Sequence, residues 1–232
     1  MKLLLTSAGI ANPSIASALN DMLPKPLSAC KALYIPTGMY PFRGGGEGVV
    51  RSLGPDSHNP LTMLGWQSLG LLELTALPTV RREHWVADVL DADVLLVYGG
   101  NVLYLKYWMQ QSGLADLFPQ LENTVYVGVS AGSIVMTNWN CDVESNLEVL
   151  PSDPALVANG EKGLGLVDCA LWVHLDNPSP IFSDHTSANI EKWSATVPGI
   201  TYAIDDQTAL RVENGHIEVV SEGAWRTFGA AN

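Results

Sequence analysis

The chain has 232 residues, of which 47% are apolar and only 16% are charged, a composition sufficient for one sizeable core. We expect one compact domain over residues 1–232, because a single α/β domain commonly has roughly 200–250 residues. The 24 acidic and 12 basic residues give a formal net charge of −12. This charge disfavours both nucleic acid and an anionic membrane surface as partners.

The N-terminal segment has only a short apolar run, Leu3–Leu5, whereas a secretory signal has roughly 7–15 apolar residues. No stretch of the sequence approaches the roughly 18 apolar residues of a membrane span. The three cysteines, Cys30, Cys141 and Cys169, lack the spacing of metal ligands, so we expect reduced thiols. These features predict a cytoplasmic protein without a metal or other cofactor.

Apolar segments of strand length alternate with helix-like segments as far as residue 137. The predicted strands are Lys2–Ser7, Ala32–Pro36, Leu71–Leu77, Asp93–Val97 and Thr124–Val129. The predicted helices are Ser14–Met22, Arg81–Leu90, Val102–Ser112 and Ala131–Thr137. Near-continuous apolar strands separated by helices are typical of βαβ units. The pattern therefore predicts an α/β fold with an open, doubly wound, mostly parallel sheet and helices on both faces.

The pattern changes near the C-terminus, where the predicted strands are short. They are Thr201–Ile204, Ala209–Val212 and His216–Val220. Asn214-Gly215 lies between the last two, and this dipeptide is a strong hairpin signal. We therefore expect these three strands to add an antiparallel edge to the sheet, ending in a C-terminal hairpin.

The segment Arg43–Gly48 is rich in glycine and follows the second predicted strand. It lacks the Lys-Ser/Thr ending of a phosphate-binding loop and the spacing of a dinucleotide fingerprint. We expect a flexible loop over one end of the sheet, near the strand carboxyl ends where open α/β sheets bind ligands.

The strongest chemical signal is Gly128-Val129-Ser130-Ala131-Gly132, which follows an apolar strand and precedes a helix-like segment. This context makes Gly-x-Ser-x-Gly a nucleophile elbow. The turn is tight enough that side chains at positions 128 and 132 would collide. Ser130 is therefore a candidate nucleophile, at a helix start where backbone N–H groups favour developing negative charge.

A second glycine motif, Gly99-Gly100-Asn101, follows the strand that ends near Tyr98. In a parallel sheet it lies at the same carboxyl edge as the elbow. The glycines allow a backbone N–H to approach a substrate closely. With the Ala131 N–H, that of Gly100 is a candidate oxyanion donor, while Asn101 suits a helix N-cap.

A serine nucleophile needs a base, and the candidates are His58, His84, His174, His185 and His216. The sequence predicts that His84 and His216 are exposed and that His58 lies in a polar loop. His174 ends an apolar strand, where catalytic groups gather, and His185 is the reserve candidate. For the orienting carboxylate, Asp205 and Asp206 both end the strand after His174, and the residues alone leave the choice open.

Together these blocks resemble peptidase E, the aspartyl dipeptidase family of serine peptidases, which is related in fold to class I glutamine amidotransferases. The segment Leu164–Asp168, followed by His174, adds to the resemblance, which spans essentially the whole chain. The resemblance implies a catalytic set of Ser130, His174 and Asp206, with Asp205 as the alternative acid. It also implies oxyanion donors at Gly100 and Ala131, and substrate contacts at Gly99 and Asn101.

The same resemblance implies hydrolysis of short peptides at their N-terminal residue, with Asp-Xaa dipeptides as substrates, by a monomer or a homodimer. Known members carry Glu where this chain has Asp206. An arginine is the expected partner for a substrate carboxylate, yet no arginine lies between His174 and Asp206, where Lys192 is the only lysine.

Three other interpretations fit parts of the sequence. A cyanophycinase-like enzyme would cleave β-aspartyl–arginine peptides, although Asn101 matches the dipeptidase block better. An α/β-hydrolase esterase shares the elbow, but its acid precedes its histidine in the chain. A catalytically degenerate family member would bind peptides without cleaving them.

Overall fold

The computed structural model describes residues 1–54, 57, 59, 61–141, 147–150 and 153–229. The strands in these residues are β1 (Lys2–Thr6), β2 (Lys31–Ile35), β3 (Ser68–Leu71), β4 (Val94–Val97), β5 (Val125–Val129), β6 (Thr137–Trp139), β7 (Val167–Trp172), β8 (Thr201–Ile204), β9 (Thr208–Glu213), β10 (His216–Ser221) and β11 (Trp225–Phe228). The helices are α1 (Pro13–Met22), α2 (Gly45–Leu53), α3 (Arg82–Asp91), α4 (Val102–Gln111), α5 (Ala131–Ile134) and two further helices at Pro154–Val157 and Ser187–Ser194.

The larger sheet has seven strands in the order β10-β9-β1-β5-β4-β2-β3. Strands β1, β5, β4, β2 and β3 pair in parallel, and β9 joins β1 in antiparallel orientation. The β9–β10 hairpin turns at Asn214 and Gly215, both at positive φ (52° and 77°). The predicted doubly wound sheet and its C-terminal hairpin are therefore confirmed.

The sequence did not predict the second sheet, which has the order β11-β8-β7-β6. Strands β6, β7 and β8 are parallel, and β11 pairs antiparallel with β8. The placement of Thr201–Ile204 at an antiparallel edge of the main sheet is therefore wrong, because this strand pairs in parallel with β7. This second sheet brings the chain after β7 and β8 to the edge where β5 ends.

Both faces of the larger sheet are buried, and successive residues of its central strands alternate between two cores. Leu3 and Leu5 of β1 pack in one core with residues of α3, α4 and β7. Leu4 packs in the other core with Ile15 and Leu19 of α1. This alternation is the reason that the central strands are continuously apolar. The single-domain organisation stays a prediction.

Three predicted elements differ from the structure. The sequence predicted a strand over Leu71–Leu77, but β3 spans Ser68–Leu71. The buried leucines after it pack into the core from outside the strand. The predicted helix Ala131–Thr137 is wrong beyond Ile134, since Thr137 begins β6 and pairs with Val167. The predicted flexible loop at 43–48 instead enters helix α2 at Gly45, where a Cβ would lie 2.0 Å from the Met39 carbonyl oxygen.

Candidate active site

Ser130 lies in the sharp turn between β5 and α5, so the predicted strand–turn–helix context is present. Its backbone has φ 52° and ψ −116°, a strained conformation of the kind found at nucleophile elbows. A Cβ at Gly128 would lie 2.6 Å from the Gly132 carbonyl oxygen, and one at Gly132 would lie 2.3 Å from that of Val97. Only glycine fits at either position, and the Ser130 side chain remains half-buried at the strand end.

His174 follows β7 and approaches Ser130 from the second sheet. Its Nε2 lies 3.0 Å from Ser130 Oγ, and its side chain is almost entirely buried. The residue has φ 58°, in the left-handed region that a residue with a Cβ rarely adopts. Its N–H donates to Ser7 Oγ at 2.9 Å, which contributes to holding this backbone conformation.

Asp206 lies on the other side of the imidazole, where His174 Nδ1 is 2.6 Å from Asp206 Oδ1. An ionised carboxylate accepts hydrogen bonds only, so Nδ1 carries the proton and Nε2 is left to accept from Ser130 Oγ. This is the tautomer that a serine nucleophile requires. The structure thus brings Ser130, His174 and Asp206 into one chain of hydrogen bonds.

Asp205 points elsewhere and organises the turn between β8 and β9. Its carboxylate accepts from the Gln207 N–H at 3.0 Å, Thr208 Oγ1 at 2.7 Å and the Ala224 N–H at 2.6 Å. A Cβ at Gly223 would lie 2.1 Å from Asp205 Oδ2, so the segment before β11 closes tightly over this carboxylate. Between the two acids that the sequence left open, Asp206 is the one beside His174.

Two side chains that the sequence analysis missed also hold the Asp206 carboxylate. Ser7 Oγ donates to Asp206 Oδ1 at 2.6 Å, and Asn177 Nδ2 donates to Asp206 Oδ2. Burial by itself raises the pKa of Asp206, but the hydrogen bonds from His174, Ser7 and Asn177 outweigh it, and the pKa is lowered overall. The carboxylate is therefore ionised at neutral pH.

The ring of Phe182, a third missed residue, stacks on the His174 imidazole with centroids 3.9 Å apart and planes at 17°. Phe182 ends a short 3₁₀ helix, Pro180–Phe182. The hydrogen bonds to the imidazole nitrogens lie in the plane of the ring, whereas Phe182 packs against its face. The stack therefore restrains the orientation of the His174 ring. No motif in the sequence marks this residue, because the stack joins segments that only the fold brings together.

The Gly99-Gly100-Asn101 loop lies against Ser130, as its position after β4 predicts. A Cβ at Gly99 would lie 3.2 Å from Ser130 Cβ, and one at Gly100 would lie 2.2 Å from the Gly38 carbonyl oxygen. Gly100 also has φ 125°, which favours glycine. Within the described part of the chain, neither the Gly100 N–H nor the Ala131 N–H donates a backbone hydrogen bond.

Asn101 serves the fold in two ways. Its Oδ1 accepts from the Tyr104 N–H at 3.0 Å as the N-cap of α4. Its own N–H donates to the Gly38 carbonyl oxygen at 2.8 Å. The expected N-cap is present, and the side chain is fully buried. A substrate contact at Asn101 stays a prediction.

The other described histidines do not take part in this chain of hydrogen bonds, although His185 lies beside it. His84 and His216 are exposed, as predicted. His185 lies next to His174, with ring centroids 6.1 Å apart, and its Nδ1 donates to the Val173 carbonyl oxygen at 2.8 Å. His58 lies outside the described residues.

Within residues 1–54, 57, 59, 61–141, 147–150 and 153–229, no cluster of His, Cys, Asp or Glu side chains is arranged to hold a metal ion. In the same residues, none of the helices has the length and apolar character needed to cross a bilayer.

A serine on an elbow, followed by a histidine and a carboxylate in hydrogen-bond contact, is typical of serine hydrolases. The model of peptidase family S51 matches residues 3–220 of this chain. The chain therefore belongs to peptidase family S51 and is a serine peptidase, which confirms the resemblance found in the sequence.

Two solved structures resemble this fold over almost its whole length. A candidate peptidase E protein from Listeria monocytogenes EGD-e has a TM-score of 0.64 at 17% identity, over 96% of this chain and 98% of that one. A peptidase from an acI-B1 Actinobacterium has a TM-score of 0.59 at 18% identity, over 100% of this chain and 95% of that one. No curated protein sequence matches the chain significantly.

Proposed function

We propose that this peptidase hydrolyses short peptides through an acyl-enzyme on Ser130, with His174 as general base and Asp206 as the orienting carboxylate. The observation that carries the proposal is the continuous chain of hydrogen bonds from Ser130 Oγ through His174 to Asp206 Oδ1, at 3.0 and 2.6 Å. Such distances suit proton transfer without rearrangement of the site.

In the first step, Ser130 Oγ attacks the scissile carbonyl carbon and its proton moves to His174 Nε2. The Gly100 and Ala131 N–H groups are suited to bind the resulting oxyanion, because both are free of backbone acceptors in the described residues. The imidazolium then protonates the leaving amine, and water hydrolyses the ester with His174 again acting as base. Asp206 stays ionised throughout and stabilises the imidazolium.

The substrates we propose are dipeptides and other short peptides, cleaved after their N-terminal residue. The similarity to a candidate peptidase E protein supports this class. Asp-Xaa dipeptides are the first to test, although no arginine lies between His174 and Asp206. We expect a side chain from another part of the chain to set the preference for the N-terminal residue. The cytoplasmic location stays a prediction.

The test combines an active-site probe with a substrate screen. A fluorophosphonate probe should label the wild type and fail to label Ser130→Ala, and a set of dipeptides with varied first residues should reveal the preferred substrate. Loss of a triad nucleophile commonly costs about 10⁶ in kcat. Hydrolysis by Ser130→Ala within tenfold of the wild type would refute the mechanism. A folded wild type that neither reacts with the probe nor cleaves any dipeptide would indicate a degenerate, peptide-binding member.

A further inference from the structure

Ser7 is the first residue after β1, the strand that lies between β9 and β5 in the larger sheet. In the register of these strands, Thr6 lies opposite Val129 on one side and Ala209 on the other. Ser7 is therefore level with Ser130, which follows Val129. It is fully buried, so water does not compete for its hydrogen-bonding groups.

Ser7 contacts all three members of the proposed catalytic set. Its carbonyl oxygen accepts from the Ser130 N–H at 3.1 Å, a donor that it shares with the Thr6 carbonyl oxygen. Its hydroxyl oxygen accepts from the His174 N–H at 2.9 Å. The same hydroxyl donates to Asp206 Oδ1 at 2.6 Å. One residue thus joins the backbone of the nucleophile, the backbone of the base and the orienting carboxylate.

The neighbours of the Ser7 hydroxyl determine which way it donates. Its oxygen already accepts from the His174 N–H, and the two acceptor positions nearest its proton are Asp206 Oδ1 at 2.6 Å and His174 Nδ1 at 3.3 Å. Nδ1 carries a proton in the tautomer described above and cannot accept, so the hydroxyl donates to Oδ1. Oδ1 therefore receives two donors, Nδ1 and Ser7 Oγ, which together fix the plane of the carboxylate.

The same hydroxyl supports the strained backbone of the base. His174 has φ 58°, and a residue with a Cβ keeps such a conformation only where its surroundings hold it. Without the Ser7 hydroxyl, the buried His174 N–H loses its acceptor and Asp206 Oδ1 loses a donor at the same time. The imidazole and the carboxylate would then be free to shift relative to each other, and small displacements of a base lower the rate of proton transfer.

We propose that Ser7 is a positioning residue for the hydrolysis, whose hydroxyl fixes the His174 imidazole and the Asp206 carboxylate relative to each other and thereby raises kcat. The proposal rests on the proposed function, because it adds a fourth residue to the same catalytic set. It is a statement about rate, separate from what Ser7 contributes to stability. Since Ser7 is fully buried, it acts through His174 and Asp206 and not through contact with the substrate.

The test uses Ser7→Ala and Ser7→Cys in the full chain. The thiol of Ser7→Cys retains a weaker donor and a weaker acceptor. The matched control is Ser133→Ala, because Ser133 is also fully buried and its Oγ donates to the Thr6 carbonyl oxygen at 2.7 Å. The control therefore removes a hydrogen bond at the same strand end, but one made to β1 and not to His174 or Asp206. Rates are measured on the best dipeptide from the screen and divided by the fraction of sites that the fluorophosphonate probe labels.

Ser7→Ala should lower kcat by about 10- to 100-fold, the range expected for the loss of a hydrogen bond to a charged group. KM should stay within about threefold, because a residue buried away from the substrate does not change uniform binding. The kcat of Ser7→Cys should lie between those of Ser7→Ala and the wild type. Ser133→Ala should be less stable than the wild type, yet its kcat should stay within about threefold.

The Nδ1–H proton of His174 supplies a readout that a purely structural role would not change. Its resonance, observed by NMR in protein with isotope-labelled histidine, reports the hydrogen bond to Asp206 Oδ1. Ser7 Oγ donates to the same oxygen, so the resonance should move in Ser7→Ala. In Ser133→Ala it should keep its wild-type position.

Two results would overturn the proposal while leaving the serine mechanism intact. In one, Ser7→Ala keeps the wild-type kcat and the His174 resonance does not move. In the other, Ser7→Ala and Ser133→Ala lose rate equally with the resonance in place, which is the signature of a general loosening of the strand end. If Ser7→Ala does not fold, Ser7→Cys decides, and a wild-type kcat with an unmoved resonance in that variant rules the proposal out. A folded wild type that the probe does not label would instead refute the proposed function, and this proposal with it.

Discussion

Replacing Asp206 and Asp205 separately with Asn perturbs two adjacent carboxylates that have different tasks in the structure. Asp206 accepts from His174 Nδ1 at 2.6 Å, whereas Asp205 accepts from the Ala224 N–H at 2.6 Å and from Thr208 Oγ1 at 2.7 Å. Each substitution exchanges one carboxylate oxygen for an amide NH₂ and adds almost no volume. The pair therefore controls for size, sequence position and net charge.

In Asp206→Asn, the amide can donate to His174 Nδ1, which then favours the tautomer with the proton on Nε2. That nitrogen no longer accepts from Ser130 Oγ at 3.0 Å, so the nucleophile loses its base. A change of this kind lowers kcat by about 10⁴, which corresponds to about 5.5 kcal/mol in the activation free energy. The melting temperature should fall as well, because the amide NH₂ replaces an oxygen that accepts from Ser7 Oγ at 2.6 Å, and an unsatisfied donor costs about 1–3 kcal/mol.

In Asp205→Asn, the side chain keeps only one acceptor oxygen, although Thr208 Oγ1 and the Ala224 N–H donate to different oxygens of Asp205. The amide NH₂ group therefore faces one of these two donors. An unsatisfied group of this kind costs about 1–3 kcal/mol. For a chain of this size the melting temperature should fall by about 2–12 °C. Because Asp205 does not contact His174 in the structure, kcat should stay within a few-fold of wild type.

The assay measures kcat on the best dipeptide from the screen and the thermal midpoint of the same preparations. The expected result is that both variants lose stability and that only Asp206→Asn loses most of its rate. A larger fall in kcat for Asp205→Asn than for Asp206→Asn would refute the assignment of the orienting acid. Equal losses of rate would show that the turn acts as one unit.

Three further predictions concern Ser7, the two neighbouring histidines and metal ions. Since the pKa of Asp206 is lowered on folding, its contribution to stability is present above the ordinary Asp pKa of about 3.9 and is lost as pH falls through its folded-state pKa. Ser7→Ala removes one donor to Asp206, so the gap in unfolding free energy between wild type and variant should be larger at pH 6 than at pH 3; equal gaps in urea titrations would contradict this. His174→Ala should lose at least about 10⁴ in kcat, while His185→Ala should stay within about tenfold in the same assay, and the reverse order would make His185 the base. Dialysis against EDTA should leave kcat/KM unchanged, and a loss that zinc restores would replace the serine mechanism with a metal-activated water.

Local sequence signals predicted those parts of the protein whose causes are local. The elbow is one example, because the collision that requires Gly128 involves Gly132, only four positions along the chain. The Asn214-Gly215 turn is another, since both residues take up the positive φ values that this dipeptide tolerates. The alternation of buried strands and helices likewise predicted the central parallel sheet.

The second sheet and the helix at Gly45 were not predictable in this way. Short segments such as Thr137–Trp139 become strands only because a partner, Val167, lies beside them in the fold. Gly45 is required by the approach of the Met39 carbonyl group, and a run of glycines ordinarily indicates flexibility. In both cases the tertiary contact outweighs the local propensity.

Only the tertiary structure decided which of the two aspartates lies beside His174. Asp205 and Asp206 are adjacent and chemically identical, so composition and spacing leave them equivalent. Ser7 lies 167 residues before His174, yet its hydroxyl joins the histidine backbone to the Asp206 carboxylate. The sequence by itself determined that a serine on an elbow, a histidine and an aspartate would meet at one sheet edge. Which aspartate they meet, and which side chains hold it, was decided by the approach of Ser7, just after β1, to His174 and Asp206, which follow β7 and β8.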